Sequence, residues 1–263
     1  MAASGPPPRP EVGASTKPMI QIVDLQKTFG ENKVLTGINL SVPQGSTCVI
    51  LGGSGSGKTV LMKHMIGLLR PDSGQVNIDG EDIVPMGVEA LQRVRNKFGM
   101  VFQAAALFDS MTVFENVAFP LREHTKLSED ELYAKVRAKL DLMDLKREVE
   151  SKFPSDLSGG MRKRVGLARA VVLDPKIVLY DEPTTGLDPI TTDSVDEMIL
   201  AAQKGLGVTS VVISHDISSA FNVADQIAFL SKGVIVENGT PEQLRMSQHP
   251  AVKVFLETWF GKN

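Results

Sequence analysis

The sequence predicts an α/β fold: a mixed sheet core, an antiparallel β subdomain on its N-terminal side and an inserted α-helical lobe. Three observations carry that prediction. The β-branched apolar run Thr47-Cys48-Val49-Ile50-Leu51 passes into Gly52-Gly53-Ser54-Gly55-Ser56-Gly57-Lys58-Thr59 and then into a helix-like stretch at 60–66. A second apolar run, 176–180, ends in the paired carboxylates Asp181-Glu182, as a buried parallel strand does where its carboxyl end faces a ligand. From Ile177 onward strand and helix patterns alternate, which implies parallel β–α units.

Residues 1–18, with Pro6, Pro7, Pro8 and Pro10 among Ala, Ser and Gly, hold too little apolar content to fold and lack the continuous apolar core of a secretion signal; they read as a disordered tail. Residues 20–29 and 34–42 suggest an antiparallel pair feeding the strand at Thr47, and Asp79-Gly80 marks a further hairpin. A helical lobe should occupy about 104–170. Within it Ser128-Glu129-Asp130-Glu131 is a capping box that opens a helix through about Leu142, and Leu132, Val136, Leu140 and Met143 recur at helical spacing as its core face. Asp188-Pro189 places a capping acid before a first-turn proline, starting a helix near Ile190, and Thr240-Pro241-Glu242-Gln243 repeats that grammar. No internal repeat is evident, so 19–246 form one domain. Residues 247–263 add an amphipathic helix with Val252, Phe255, Leu256, Trp259 and Phe260 on one face, which either packs on its own domain or docks on a second subunit or a regulatory partner.

At 263 residues and 42% hydrophobic content the chain can bury a substantial core. No run approaches the roughly 18 apolar residues that span a bilayer. A net charge of −3 with mixed signs gives no basic surface of the kind nucleic acid requires. The single cysteine, Cys48, falls in a predicted buried strand and offers no disulfide framework, which fits a reducing cytosol.

The octapeptide at 52–59 is a P-loop in its proper setting. Its glycines let backbone N–H groups turn inward around phosphate oxygens, and the following helix adds partial positive charge. Lys58 then reaches the β- and γ-phosphates, and the Thr59 hydroxyl binds Mg²⁺. A flexible Gly/Ser turn accounts for the glycines but not for Lys58-Thr59 at that offset after a buried strand. Asp181 is placed to hold Mg²⁺ through water, and Glu182 to polarise the attacking water. Alone, that acidic pair could be a solvated turn; beside a P-loop it is chemistry.

Between these motifs stands Leu157-Ser158-Gly159-Gly160-Met161-Arg162-Lys163-Arg164, and with it the chain resembles the ATP-binding-cassette (ABC) ATPases over residues 19 to about 245. The resemblance implies ATP and Mg²⁺ as cofactors and two cassettes that close on each other. Ser158, Gly159 and Gly160 cap a helix facing the γ-phosphate held by the other subunit, while Met161 replaces the family's usual glutamine and removes one polar contact. Gln103 matches the glutamine that senses Mg²⁺ and couples to the membrane domain, His215 the switch histidine that holds the catalytic glutamate, and Asp188 the loop that communicates across the dimer. Phe29 lies where an aromatic residue usually stacks on adenine.

The resemblance leaves two classes of function. Genome-maintenance relatives insert long coiled coils between P-loop and signature, whereas Lys58 and Ser158 stand 100 positions apart here, and translation-factor relatives carry two cassettes per chain. A soluble ABC ATPase acting on nucleic acid or ribosomes is therefore the weaker reading, and no nucleic-acid partner is expected. The stretch 106–125, Ser-Gly-Gly-Met at 158–161 and Asp-Pro-Ile at 188–190 are similar to the Mla-type phospholipid transport ATPases. That implies a homodimer on the cytoplasmic face of an inner membrane, held by integral-membrane permease subunits, with an MCE-domain lipid-binding protein and a small regulatory subunit as further partners; Phe108 and residues 120–125 are the candidates for the permease contact, with packing of the lobe as their competing role. Because Phe-Glu-Asn-Val at 114–117 is common across importers of amino acids and other small solutes, such an importer remains the alternative.

Overall fold

The computed structural model describes residues 17–260, with side chains through Glu257. In chain order the elements are β1 (Pro18–Phe29), β2 (Asn32–Pro43), β3 (Thr47–Leu51), α1 (Lys58–Met65), β4 (Ser73–Ile78), β5 (Glu81–Asp82), α2 (Val88–Arg95) and β6 (Phe98–Val101). The lobe helices α3 (Val113–His124), α4 (Glu129–Leu142) and α5 (Gly159–Ala170) follow. The chain then returns through β7 (Ile177–Asp181), α6 (Pro189–Leu206), β8 (Thr209–Ser214), α7 (Ile217–Val223), β9 (Gln226–Ser231), β10 (Val234–Gly239), α8 (Pro241–Arg245) and α9 (Pro250–Phe260).

The first sheet is antiparallel, in the order β2-β1-β4-β5. Its β4–β5 turn is the expected Asp79-Gly80, with φ of 54° and 85°, the pair of left-handed residues that a tight hairpin demands. Strand β1 begins at Pro18, inside the stretch read as tail. A proline is tolerated at the first residue of a strand, and this one sits opposite Pro43. Residues 1–16 lie outside the described ones.

The second sheet has the order β10-β9-β3-β8-β7-β6 and is parallel from β9 through β6. Strand β10 departs from the expected run of parallel units by pairing antiparallel with β9. Only Lys232 and Gly233 join the two strands, with φ of 47° and 79°, and a two-residue connection can make a hairpin but not a crossover.

Period-two alternation on buried strands divides the core. Val49 and Leu51 of β3, with Val178 and Tyr180 of β7, face the lobe and α6–α7. Cys48, Ile50, Ile177 and Leu179 face α1 and the antiparallel sheet. Burial pushes the Cys48 thiol up to about 12, so it packs as a small hydrophobe and is not a nucleophile.

In the lobe, Ser128 and Glu131 form the reciprocal capping box, and Leu132, Val136, Leu140 and Met143 are buried along one face of α4. Thr112 and Glu115 cap α3 in the same way. The buried Asn116 amide ties the preceding loop by donating to the carbonyls of Phe108, Met111 and Thr112 and accepting from the Phe108 N–H. At the C-terminal end Val252, Phe255 and Leu256 of α9 pack on the chain's own core, with the Phe255 ring 5.0 Å from Phe229. Those three residues are occupied within the chain. The side chains of Trp259 and Phe260, the remainder of the predicted face, lie outside the described ones.

Candidate functional site

The parallel sheet brings the carboxyl ends of β3, β7 and β8 to one edge, and there the P-loop, the acidic pair and His215 meet. Gly57 is the N-cap of α1 with φ 108°, and a Cβ on it would lie 2.9 Å from Leu35 Cδ2 and 3.2 Å from the Val34 carbonyl oxygen. Gly52 approaches β9 so closely that a Cβ would fall 2.2 Å from the Leu230 carbonyl oxygen. Only glycine fits either position. No side chain caps α1, so its first N–H groups point at whatever binds in the loop.

Lys58 is buried and its ammonium donates to the Gly52 and Gly53 carbonyls at 2.8 and 3.1 Å, with Glu182 Oε1 at 3.6 Å. Glu182 follows the last residue of β7 with φ 50°, a left-handed conformation that costs a non-glycine residue free energy and marks functional turns. Its Oε2 accepts from Thr185 Oγ1 at 3.0 Å and lies 2.7 Å from His215 Nδ1. The carboxylate is thus fixed by a hydroxyl, an imidazole and an ammonium, a combination that orients a proton acceptor. Thr185 was not singled out from the sequence, because a hydroxyl three residues past an acidic pair carries no motif.

Asp181 is half-buried at the strand end. Burial holds its carboxyl above the usual carboxylate range, and the neighbouring Glu182 charge adds to the shift. Two crowded carboxylates, a Thr59 hydroxyl at the exposed start of α1 and the expected phosphate oxygens form an oxygen-rich set suited to Mg²⁺. Gln103 follows β6, the strand beside β7, and is exposed. Behind it Ala105 and Ala106 take φ of 60° and 47°. Phe29 ends β1 with 46% of its surface exposed, its ring available for stacking and Lys27 Nζ 5.4 Å from its centre.

The structure does not bring Ser158, Gly159, Gly160 or Asp188 to this cluster. Ser158 caps α5 by accepting from the Met161 N–H at 3.3 Å, and Asp188 caps α6 by accepting from Thr191. Together they line a separate open groove with Gly186, Leu187 and the exposed Ile190. Met161 lines the same groove and packs partly on the core, so an apolar side chain stands where a polar one was expected. The chain therefore presents two separate features: the charged cluster around Lys58 and Glu182, and an open groove at the N-termini of α5 and α6 that carries the Asp144 and Asp188 carboxylates.

Such a pairing on a mixed sheet defines an ATP-binding cassette. The chain matches the ABC transporter family over residues 35–185 and belongs to it, as an ATPase whose hydrolysis is coupled to transport. It is 43% identical over 256 residues to the "Probable ribonucleotide transport ATP-binding protein mkl" of Mycobacterium leprae, covering 97% of this chain and 72% of that one. Its counterpart in Mycobacterium tuberculosis is 44% identical, and this chain spans 66% of its length. The chain is also 40% identical over 239 residues to the "Intermembrane phospholipid transport system ATP-binding protein MlaF" of Escherichia coli, covering 91% and 88% of the two chains. Among solved structures, cbiO1 of Clostridium perfringens, part of the ABC transporter complex cbiONQ, superposes with a TM-score of 0.82 at 28% identity, covering 93% and 96%. The cassette MJ0796, dimeric and bound to ADP and Pi, gives 0.75 at 30% identity, covering 85% and 99%. Among the described residues no helix is long and apolar enough to cross a membrane.

Proposed function

We propose that this chain is the ATP-hydrolysing subunit of a transporter that moves phospholipid between membranes and maintains envelope lipid asymmetry. The observation carrying the substrate is the MlaF likeness, which runs over 91% of this chain and 88% of that protein. The mycobacterial relatives are slightly more identical and carry a ribonucleotide name, but this chain spans only 66–72% of them. An importer of ribonucleotides or other small solutes is accordingly the second reading.

In the mechanism we infer, the P-loop N–H groups, the α1 N-terminus and the Lys58 ammonium bind the ATP phosphates, and Phe29 stacks on the base. Thr59, Asp181 and Gln103 would hold Mg²⁺, which when bound neutralises developing charge on the phosphate oxygens. Glu182 accepts the proton of the attacking water, and His215 and Thr185 keep its carboxylate aimed. A second copy supplies Ser158, Gly159 and Gly160 to the γ-phosphate, and Asp188 lies on the same closing face. Closure and reopening of the homodimer then move the Gln103 lobe against permease subunits on the cytoplasmic face of the membrane, with an MCE-domain protein and a small regulatory subunit completing the assembly.

The test is to capture the tagged full chain from its native membrane with its permease and assay ATPase activity in nanodiscs. Co-purified phospholipid and stimulation by phospholipid are expected. Stimulation by ribonucleotides without phospholipid response would move the assignment to the second reading.

A further inference from the structure

Helix α5 carries a lysine into the protein interior. Lys163 is 8% exposed, and its amine donates to the carbonyl of Pro183, with no carboxylate partner among the described residues. Its stem lies in an apolar slot with Phe102, Leu167, Tyr180 and Ile199. Burying an ammonium against a single carbonyl is unfavourable, and a leucine or methionine would fill the slot at lower cost. Burial accordingly holds the amine below the usual lysine range. Stability gives no reason for a cation here.

The partner of that amine gives one. Pro183 immediately follows Glu182, whose backbone is left-handed, and the turn has few bonds of its own: Glu182 N–H to the Ile213 carbonyl at 2.9 Å and Thr185 N–H to the Glu182 carbonyl at 3.3 Å. The proline ring fixes one backbone torsion and restricts the residue before it, so holding the Pro183 carbonyl narrows the ways in which the Glu182 turn can move. We infer that Lys163 is a positioning residue for hydrolysis, anchoring the Pro183 carbonyl so that the Glu182 carboxylate stays seated between His215 and Thr185. The amine donates whether or not it carries its proton, so the anchor does not depend on pH. Because Ser158 begins the same helix, about 7 Å of helix axis links one half-site to the turn that carries the other. Phosphate docked at Ser158 by the opposite subunit thereby bears on Glu182 through one rigid element.

The inference rests on Glu182 activating water, so the experiment includes E182Q beside K163M and K163R in the full chain. K163M is expected to lower kcat about 10–100-fold, the effect of a misplacement near 1 Å, with KM for ATP within about twofold because the Lys58 cradle is untouched. Its melting temperature should stay level or rise, and K163R, which restores a donor, should keep kcat within about fivefold of wild type. Wild-type kcat in K163M overturns the inference. So does a loss of kcat that K163R shares and that follows a lowered melting temperature, since that makes Lys163 a packing residue. E182Q at near wild-type rate removes the role of Glu182 itself, and the inference with it.

Discussion

The Lys58 cluster and the Ser158 groove both face nucleotide in the proposed mechanism, yet they are built in opposite ways. At the cluster, like charges are crowded at a buried strand end, the backbone is left-handed at Glu182, and every functional atom of that carboxylate is engaged. At the groove, two exposed helix caps accept from their own helices' N–H groups and neither cap is left-handed, with φ of −66° at Ser158 and −71° at Asp188. The contrast separates chemistry, which needs preorganised charge and tolerates instability, from recognition, which needs only accessible donors.

The largest expected effect breaks the chemical half alone. Glu182→Gln keeps the shape of the cluster and removes the proton acceptor, so turnover should fall on the order of 10²–10⁴-fold while ATP still binds and the closed dimer accumulates. Phosphate release, ATP titration and size-exclusion chromatography of the purified chain with ATP check the three outcomes. A rate near wild type would dissolve the distinction between the two half-sites.

Lys58→Ala removes the closest cation from the phosphates and should weaken ATP binding or abolish hydrolysis, read by calorimetry and phosphate release. Paired with a variant of the other half-site it becomes sharper. Ser158→Asp places a negative charge at the α5 N-terminus and should block turnover while leaving ATP binding to its own P-loop intact. Mixing the two inactive chains creates dimers with one site that is whole, so up to about a quarter of wild-type activity should return. No recovery at any mixing ratio would mean that the half-sites do not come from different copies.

What the sequence made legible follows the same divide. The P-loop, the strand-end acids and the caps at Ser128, Asp188 and Thr240 were readable because each is a local grammar in which residue type and spacing are dictated by backbone donors. The placement of His215 beside Glu182 needed the family resemblance, since 33 positions separate them and no local rule joins them. Lys163, Thr185 and Asn116 were invisible as functional or architectural residues: their meaning lies in which carbonyl or carboxylate the fold brings to them. The antiparallel turn of β10 was misjudged because apolar alternation does not report strand direction, whereas the two-residue Lys232-Gly233 link does.

The smallest effect gives the two halves opposite signs. Asp181 in the cluster has its carboxyl raised above the ordinary range by burial, so between the unfolded and folded values the native state holds the proton more tightly, and stability falls as pH rises through that window and stays reduced above it. Asp188 in the groove is lowered by the Thr191 hydroxyl and N–H, so its charged form contributes stability that is present above the unfolded value and lost as pH falls through the folded one. At neutral pH, then, Asp181→Asn should raise Tm, on the order of 2–4 °C, while removing activity, and the gain should vanish in acid where wild type is also protonated. Asp188→Ala should lower Tm at neutral pH by removing the α6 cap, with the deficit shrinking on acidification. Thermal melts of the two variants and wild type from acid to neutral pH decide it: shifts of the same sign would show that the cluster is not the destabilised half.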